Sequence, residues 1–131
     1  MLIEELKKEH MVIVDTLKDA HKIGILNAEG RKKLLSLKDI LLAHMKKEDD
    51  KLYPPLKSAA EKDENFRVAL DYFASNMSDI SQKATHFFEK FSAGGDTMEF
   101  IREYKDLLST LTERIEKEES ILFSEFYKRG L

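Results

Sequence analysis

Leu41-Leu42-Ala43-His44-Met45-Lys46-Lys47-Glu48-Asp49-Asp50-Lys51-Leu52-Tyr53 aligns without a gap on Leu111-Thr112-Glu113-Arg114-Ile115-Glu116-Lys117-Glu118-Glu119-Ser120-Ile121-Leu122-Phe123. Acid matches acid at Glu48/Glu118 and Asp49/Glu119, leucine matches leucine at Leu52/Leu122, and an aromatic follows in both. In each segment apolar residues recur at steps of three and four, the period of an amphipathic helix with one buried stripe. The repeat predicts two helical hairpins related by a pseudo-twofold axis.

Working outward, the same period marks four helices. The first covers about residues 2 to 24, with Leu2, Leu6, His10, Ile13, Leu17 and Ala20 on its stripe, and Gly24 and Asn27-Ala28-Glu29-Gly30 break it. The second begins near Arg31 and carries Leu34, Leu37, Leu41, His44, Glu48 and Leu52. Pro54-Pro55 should end or kink it, because proline lacks an N–H donor and crowds the preceding turn. A polar stretch from Ser58 to Asn65 leads into the third, whose stripe is Phe66, Leu70, Phe73, Met77, Ile80, Ala84, Phe87 and Phe91. After Ala93-Gly94-Gly95-Asp96, with Asp96 or Thr97 as N-cap, the fourth runs to about Tyr127 with Ile101, Tyr104, Leu108, Leu111, Ile115, Glu118 and Leu122 inward. Four such helices on short loops give an all-α, antiparallel up-down-up-down four-helix bundle, expected as a single domain over residues 1–131.

Composition agrees. There is no cysteine, so neither disulfides nor thiolate ligands are available. Charged residues are 36% of the chain, of mixed sign, with a net charge of −3, the mark of a salt-bridged helical surface and not of a nucleic-acid footprint. The first twenty residues read as neither a signal nor a transit peptide, and no apolar run approaches a membrane span, so the expected location is the cytoplasm.

The informative residues are the polar ones where leucine is expected: His10, His44, Glu48 and Glu118. A buried carboxylate is costly unless paired or bound to a cation, and two facing glutamates need something positive between them. His44 and Glu48 lie one turn apart on one face and can reach one ion. His10 and His44 each lie seventeen residues from Asn27 in the first turn, so antiparallel helices bring them to the same depth. Imidazole with carboxylate suits iron, manganese or zinc.

Glu9-His10, the run Leu42 to Glu48 with Leu52-Tyr53-Pro54, and the run Ile115 to Glu119 with Ile121-Leu122-Phe123 resemble the hemerythrin-like HHE cation-binding family across nearly the whole chain. The resemblance implies a bundle holding two irons, each with histidines from one hairpin, bridged by two glutamates. On it His10 and His44 bind one iron, Glu48 and Glu118 are bridges, and the ligand is dioxygen or nitric oxide. Relatives carry or sense oxygen or iron, or handle peroxide or nitric oxide. This chain departs from the pattern: Arg114 stands where a histidine is expected, and the window Ser75-Asn76-Met77 contains none.

Arg114 is one turn from Glu118, and a guanidinium pairs with carboxylates in bidentate fashion, so it could fill the place of one iron. Three functions follow: a sensor or carrier with one or two irons; a metal-free helical module acting through a protein partner or a second copy, with Arg114 neutralising the core glutamates; and a di-iron enzyme acting on peroxide or nitric oxide. His21 and His86 read as surface residues that could pair with each other, Phe73, Phe87, Phe88 and Phe91 as core, and Tyr53 and Tyr104 as inward-facing without chemistry.

Overall fold

A computed structural model describes residues 1–131. The chain is helical from end to end and has no strand. The helices are α1 (Leu2–Ile23), α2 (Ala28–Lys47), α3 (Tyr53–Ala60), α4 (Glu64–Ser92), α5 (Thr97–Lys117) and α6 (Ser124–Lys128). Between α2 and α3 the chain does not leave the helix; it widens into a π-helical turn, Glu48–Leu52. Between α5 and α6 it does the same at Glu118–Phe123. The six helices therefore make four rods, packed up and down with α1 against α2 and α5, and α4 against α2 and α5.

Three of the four long helices, α2, α4 and α5, are started by a side chain that takes over an unpaired N–H of the first turn. Asn27 accepts from the Glu29 N–H, Asp63 from Phe66 and Asp96 from Glu99. The tightest corner joins α1 to α2. Gly24 closes α1 at a φ of 88°, and a Cβ on Gly30 would lie 2.0 Å from the Gly24 carbonyl oxygen, so only glycine lets α2 start there.

The apolar interior is in two blocks. One fills the end of the bundle near the Gly24 and Gly94-Gly95 turns and includes Ile13, Leu17, Leu37, Leu41, Ile80, Phe87, Phe88, Phe91, Phe100 and Leu111. The other fills the opposite end with Ile3, Leu6, Leu52, Tyr53, Leu56, Phe66, Leu70, Phe73, Leu122 and Phe123. The stripes of three rods cross from one block to the other through a polar step: Leu6–His10–Ile13, Leu41–His44–Glu48–Leu52, and Leu111–Arg114–Glu118–Leu122. Only α4 crosses without a charge, by way of half-buried Met77.

Several expectations change. Pro54-Pro55 does not break the second rod; the prolines occupy the first turn of α3, where a missing N–H is harmless, and the wide turn before them absorbs the crowding. The second helix begins at Ala28, earlier than Arg31, because Asn27 caps it. In α5 the buried stripe is Phe100, Tyr104, Leu107, Leu111 and Arg114, while Ile101, Leu108 and Ile115 are half-buried along its edge. His21 is stacked on Tyr104 at 4.0 Å and His86 is exposed. No helix is long and apolar enough to cross a membrane.

Candidate metal centre

His10, His44, Glu48 and Glu118 meet in the layer between the two apolar blocks. Each offers one donor atom, and the four atoms lie within 4.8 Å of one another. All four residues are buried, with exposures of 4%, 3%, 1% and 1%. Three rods supply them: α1 carries His10, α2 and its wide turn carry His44 and Glu48, and the wide turn after α5 carries Glu118. Both glutamates are the first residues of their π turns, so the two turns open at equivalent points of the repeat. Such turns recur at functional sites.

The histidines are held from behind. His44 Nδ1 donates to Glu9 Oε1 at 2.7 Å, and Glu9 is gripped in turn by Lys47. Partial burial pushes the Glu9 carboxyl up, but its bonds to Lys47 and His44 more than offset this and hold it below the usual range. Glu9 is therefore a carboxylate, so the proton of this pair sits on Nδ1, and Nε2 of His44 is the ring nitrogen that faces the cluster. His10 Nδ1 likewise donates to Glu119 Oε2 at 2.8 Å, and its ring lies parallel to Phe123 at 5.5 Å. The two imidazole rings are 4.7 Å apart. A carboxylate behind each imidazole is the arrangement that fixes tautomer and orientation in metal-ligating histidines.

The faces turned inward are short of partners. His44 Nε2, both oxygens of Glu48 and Glu118 Oε1 are buried and accept no hydrogen bond. His44 Nε2 is 3.4 Å from Glu48 Oε2, and His10 Nε2 is 3.2 Å from Glu118 Oε1. Leaving one buried polar group unsatisfied costs about 1–3 kcal/mol, and more for a charged one. With His10 they make a set of two imidazoles and two carboxyls around one point, the donor chemistry of a divalent-cation site.

The opposite side of the layer is closed. Arg114, 5% exposed, sends Nε and Nη2 to Glu118 Oε2, both at 3.2 Å. Nη2 also donates to the Tyr53 hydroxyl at 2.9 Å, and Nη1 donates to the Phe73 carbonyl at 2.9 Å and to Asn76 Oδ1 at 3.2 Å. The guanidinium lies over the Phe73 ring at 4.7 Å. Every side of this cation is engaged, and it occupies the mirror position of His44 in the repeat. The two carboxyls are consequently driven apart. Burial, and then the neighbouring Glu118, push Glu48 up to about 10. Burial also raises Glu118, but its hydrogen bonds and the charge of Arg114 pull it down to about 2.

A cavity of about 20 Å³ adjoins the donors, walled mainly by Ile13, Leu41, Met45, Met77, Ile80 and Leu111. It has room for one molecule of about water size.

All four residues expected on the core stripe are thus brought together, and Arg114 is buried against Glu118. Glu9, Glu119, Asn76 and Tyr53 were not assigned roles in advance. The signal for the first two was their position, since each directly neighbours one of the inward residues: Glu9 beside His10, Glu119 beside Glu118. Neither curated proteins nor solved structures yield a match to the chain. The family model described as the Hemerythrin HHE cation binding domain matches residues 1–126. With a buried His/Glu cluster at the centre of a four-rod bundle, the chain belongs to the hemerythrin HHE cation-binding family.

Proposed function

We propose that the chain binds one metal ion, iron by the habit of its family, through His10, His44, Glu48 and Glu118, and that it binds or senses a small ligand such as dioxygen or nitric oxide. The observation that carries this reading is the set of buried, partnerless atoms on His44, Glu48 and Glu118. A bound iron would supply a positive charge for those atoms and a coordination position for a small ligand.

The chain's own residues do the rest. Glu9 and Glu119 orient the imidazoles. Arg114 holds one oxygen of Glu118 and leaves the other facing the cluster. It also fills the position a second ion would need with a cation that cannot leave and cannot change its charge. The apolar cavity excludes bulk water and selects a small, neutral occupant.

Metal analysis of protein from iron-supplemented growth tests the proposal. One iron per chain is the expected result, without the visible charge-transfer band of an oxo-bridged pair. Two irons per chain, or no retained transition metal, would sink it. The Arg114–Glu118 pair favours a second reading, a metal-free module, but that pair leaves His44 Nε2 and both oxygens of Glu48 without partners.

A further inference from the structure

The cavity beside the donors is ringed mostly by buried side chains, so a small ligand reaches it past the few half-buried ones. Three surface grooves adjoin it. One, of about 200 Å³, reaches the wall formed by His10 and Ile115. A second, of about 120 Å³, reaches the wall formed by Ile80 and Arg114. The third, of about 440 Å³, runs between the second rod and α4, and shares Met45 and Met77 with the cavity.

The walls differ in stiffness. His10 is held through Nδ1 by Glu119 and faces Glu118 through Nε2. Arg114 is engaged on every nitrogen. Ile80 and Ile115 are β-branched and nearly fixed at χ1 within a helix. Met45 and Met77 are unbranched, have three rotatable bonds each, make no polar bond, and are half-buried. The groove that these two side chains share with the cavity is about twice the size of the next largest of the three. Met77 also stands in the α4 window where the family resemblance calls for a histidine, so the place of a missing ligand is taken by the most pliable side chain in the layer.

We propose that Met45 and Met77 are the gate through which a small uncharged ligand reaches the centre, and that they set its rate of entry and its size limit. The proposal rests on the one-metal reading above for its physiological meaning, but the path itself exists without metal.

Two experiments separate those claims. In iron(II)-loaded protein, nitric oxide binding is followed by stopped flow. Replacing both methionines by the stiff residue of similar size, Met45→Ile with Met77→Ile, should slow entry and exit together by about tenfold or more, while their ratio changes far less. Val14→Trp, which plugs the groove beside His10 and Glu119, should leave the rates within about twofold of wild type. Rates unchanged in the double variant, or slowed by Val14→Trp alone, would overturn the gate. The second experiment uses metal-free protein under dissolved dioxygen, a paramagnet, with NMR observation of methyl groups. Ile13 and both methionine methyls should broaden, and the double isoleucine variant should lose the Ile13 effect. Undiminished broadening of Ile13 in that variant overturns the gate even if no metal is ever bound. Loss of the broadening together with an absence of bound metal would keep the gate and discard the metal reading.

Discussion

The two hairpins share a helix pattern, a wide turn and an inward glutamate, yet they treat that glutamate in opposite ways. In the first, His44 sits one turn before Glu48 and leaves it bare, with both carboxylate oxygens buried and unpaired. In the second, Arg114 sits one turn before Glu118 and grips one of its oxygens. The same register therefore gives one carboxyl that keeps its proton well above neutrality and another that stays ionised. A backbone repeat fixes where side chains point; burial and the groups packed around each carboxyl decide what charge the site holds.

The most severe way to break the contrast is Arg114→Ala. It strands Glu118 Oε2 and the Tyr53 hydroxyl in a closed interior, and loss of one partner of a buried pair costs about 3–5 kcal/mol. Denaturant titration should show that loss, and an unchanged midpoint would mean the guanidinium is not a structural cation.

The pH dependence sharpens the contrast next. In metal-free protein Glu48 is raised in the folded state, so its contribution is full below about pH 4.5 and declines as pH climbs toward about 10, by at most about 1.4 kcal/mol per pH unit. Glu118 is lowered, so its contribution is full above about pH 4.5 and is lost as pH falls toward 2. Metal-free protein should be measurably less stable at pH 8 than at pH 6, and Glu48→Gln should flatten that slope while leaving the acid limb in place. A slope that survives Glu48→Gln would assign it to another group.

Glu119→Gln and Glu9→Gln probe the supports behind the histidines. Each should weaken metal affinity by about 10- to 100-fold in a competition titration, because the imidazole loses its anchoring carboxylate. Equal affinities in wild type and both variants would show that the imidazoles do not ligate. The smallest effect belongs to Lys47→Met. Lys47 is partly exposed and acts on His44 only through Glu9, so only a small drop in melting temperature is expected, and a loss as large as that of Arg114→Ala would contradict it.

How much of this the sequence carried can be read from particular residues. Four stripes were enough for the bundle, because a buried face leaves its period in the chain. His10 and His44 met at one depth because their equal distance from Asn27 is a geometric fact of antiparallel rods. The supports escaped for a physical reason. Glu9 stands beside His10 but holds His44, and Glu119 stands beside Glu118 but holds His10, so each bond crosses between rods and no pattern within one helix contains it. The wide turns were also hidden, though a trace existed. His44, Glu48, Leu52 and Leu56 are all buried and lie four residues apart. In an α-helix each such step drifts about 40°, so three would swing Leu56 about 120° off the face. Pro54-Pro55 offered a tempting cause for any irregularity there, but the α5 rod widens at the same place with Ser124 and Glu125 in the matching positions.

Those turns have a consequence for chain length. A turn closed by i→i+5 bonds contains one residue more than an α-turn. The second and fourth rods thus each carry a spare residue, lodged at the level of the charged layer. Removing Asp50 would let the second rod close as ordinary α-helix and keep Leu52 and Leu56 phased against the end block, while loosening the position of Glu48. The segment least tolerant of a change in chemistry is therefore the one most tolerant of a change in length.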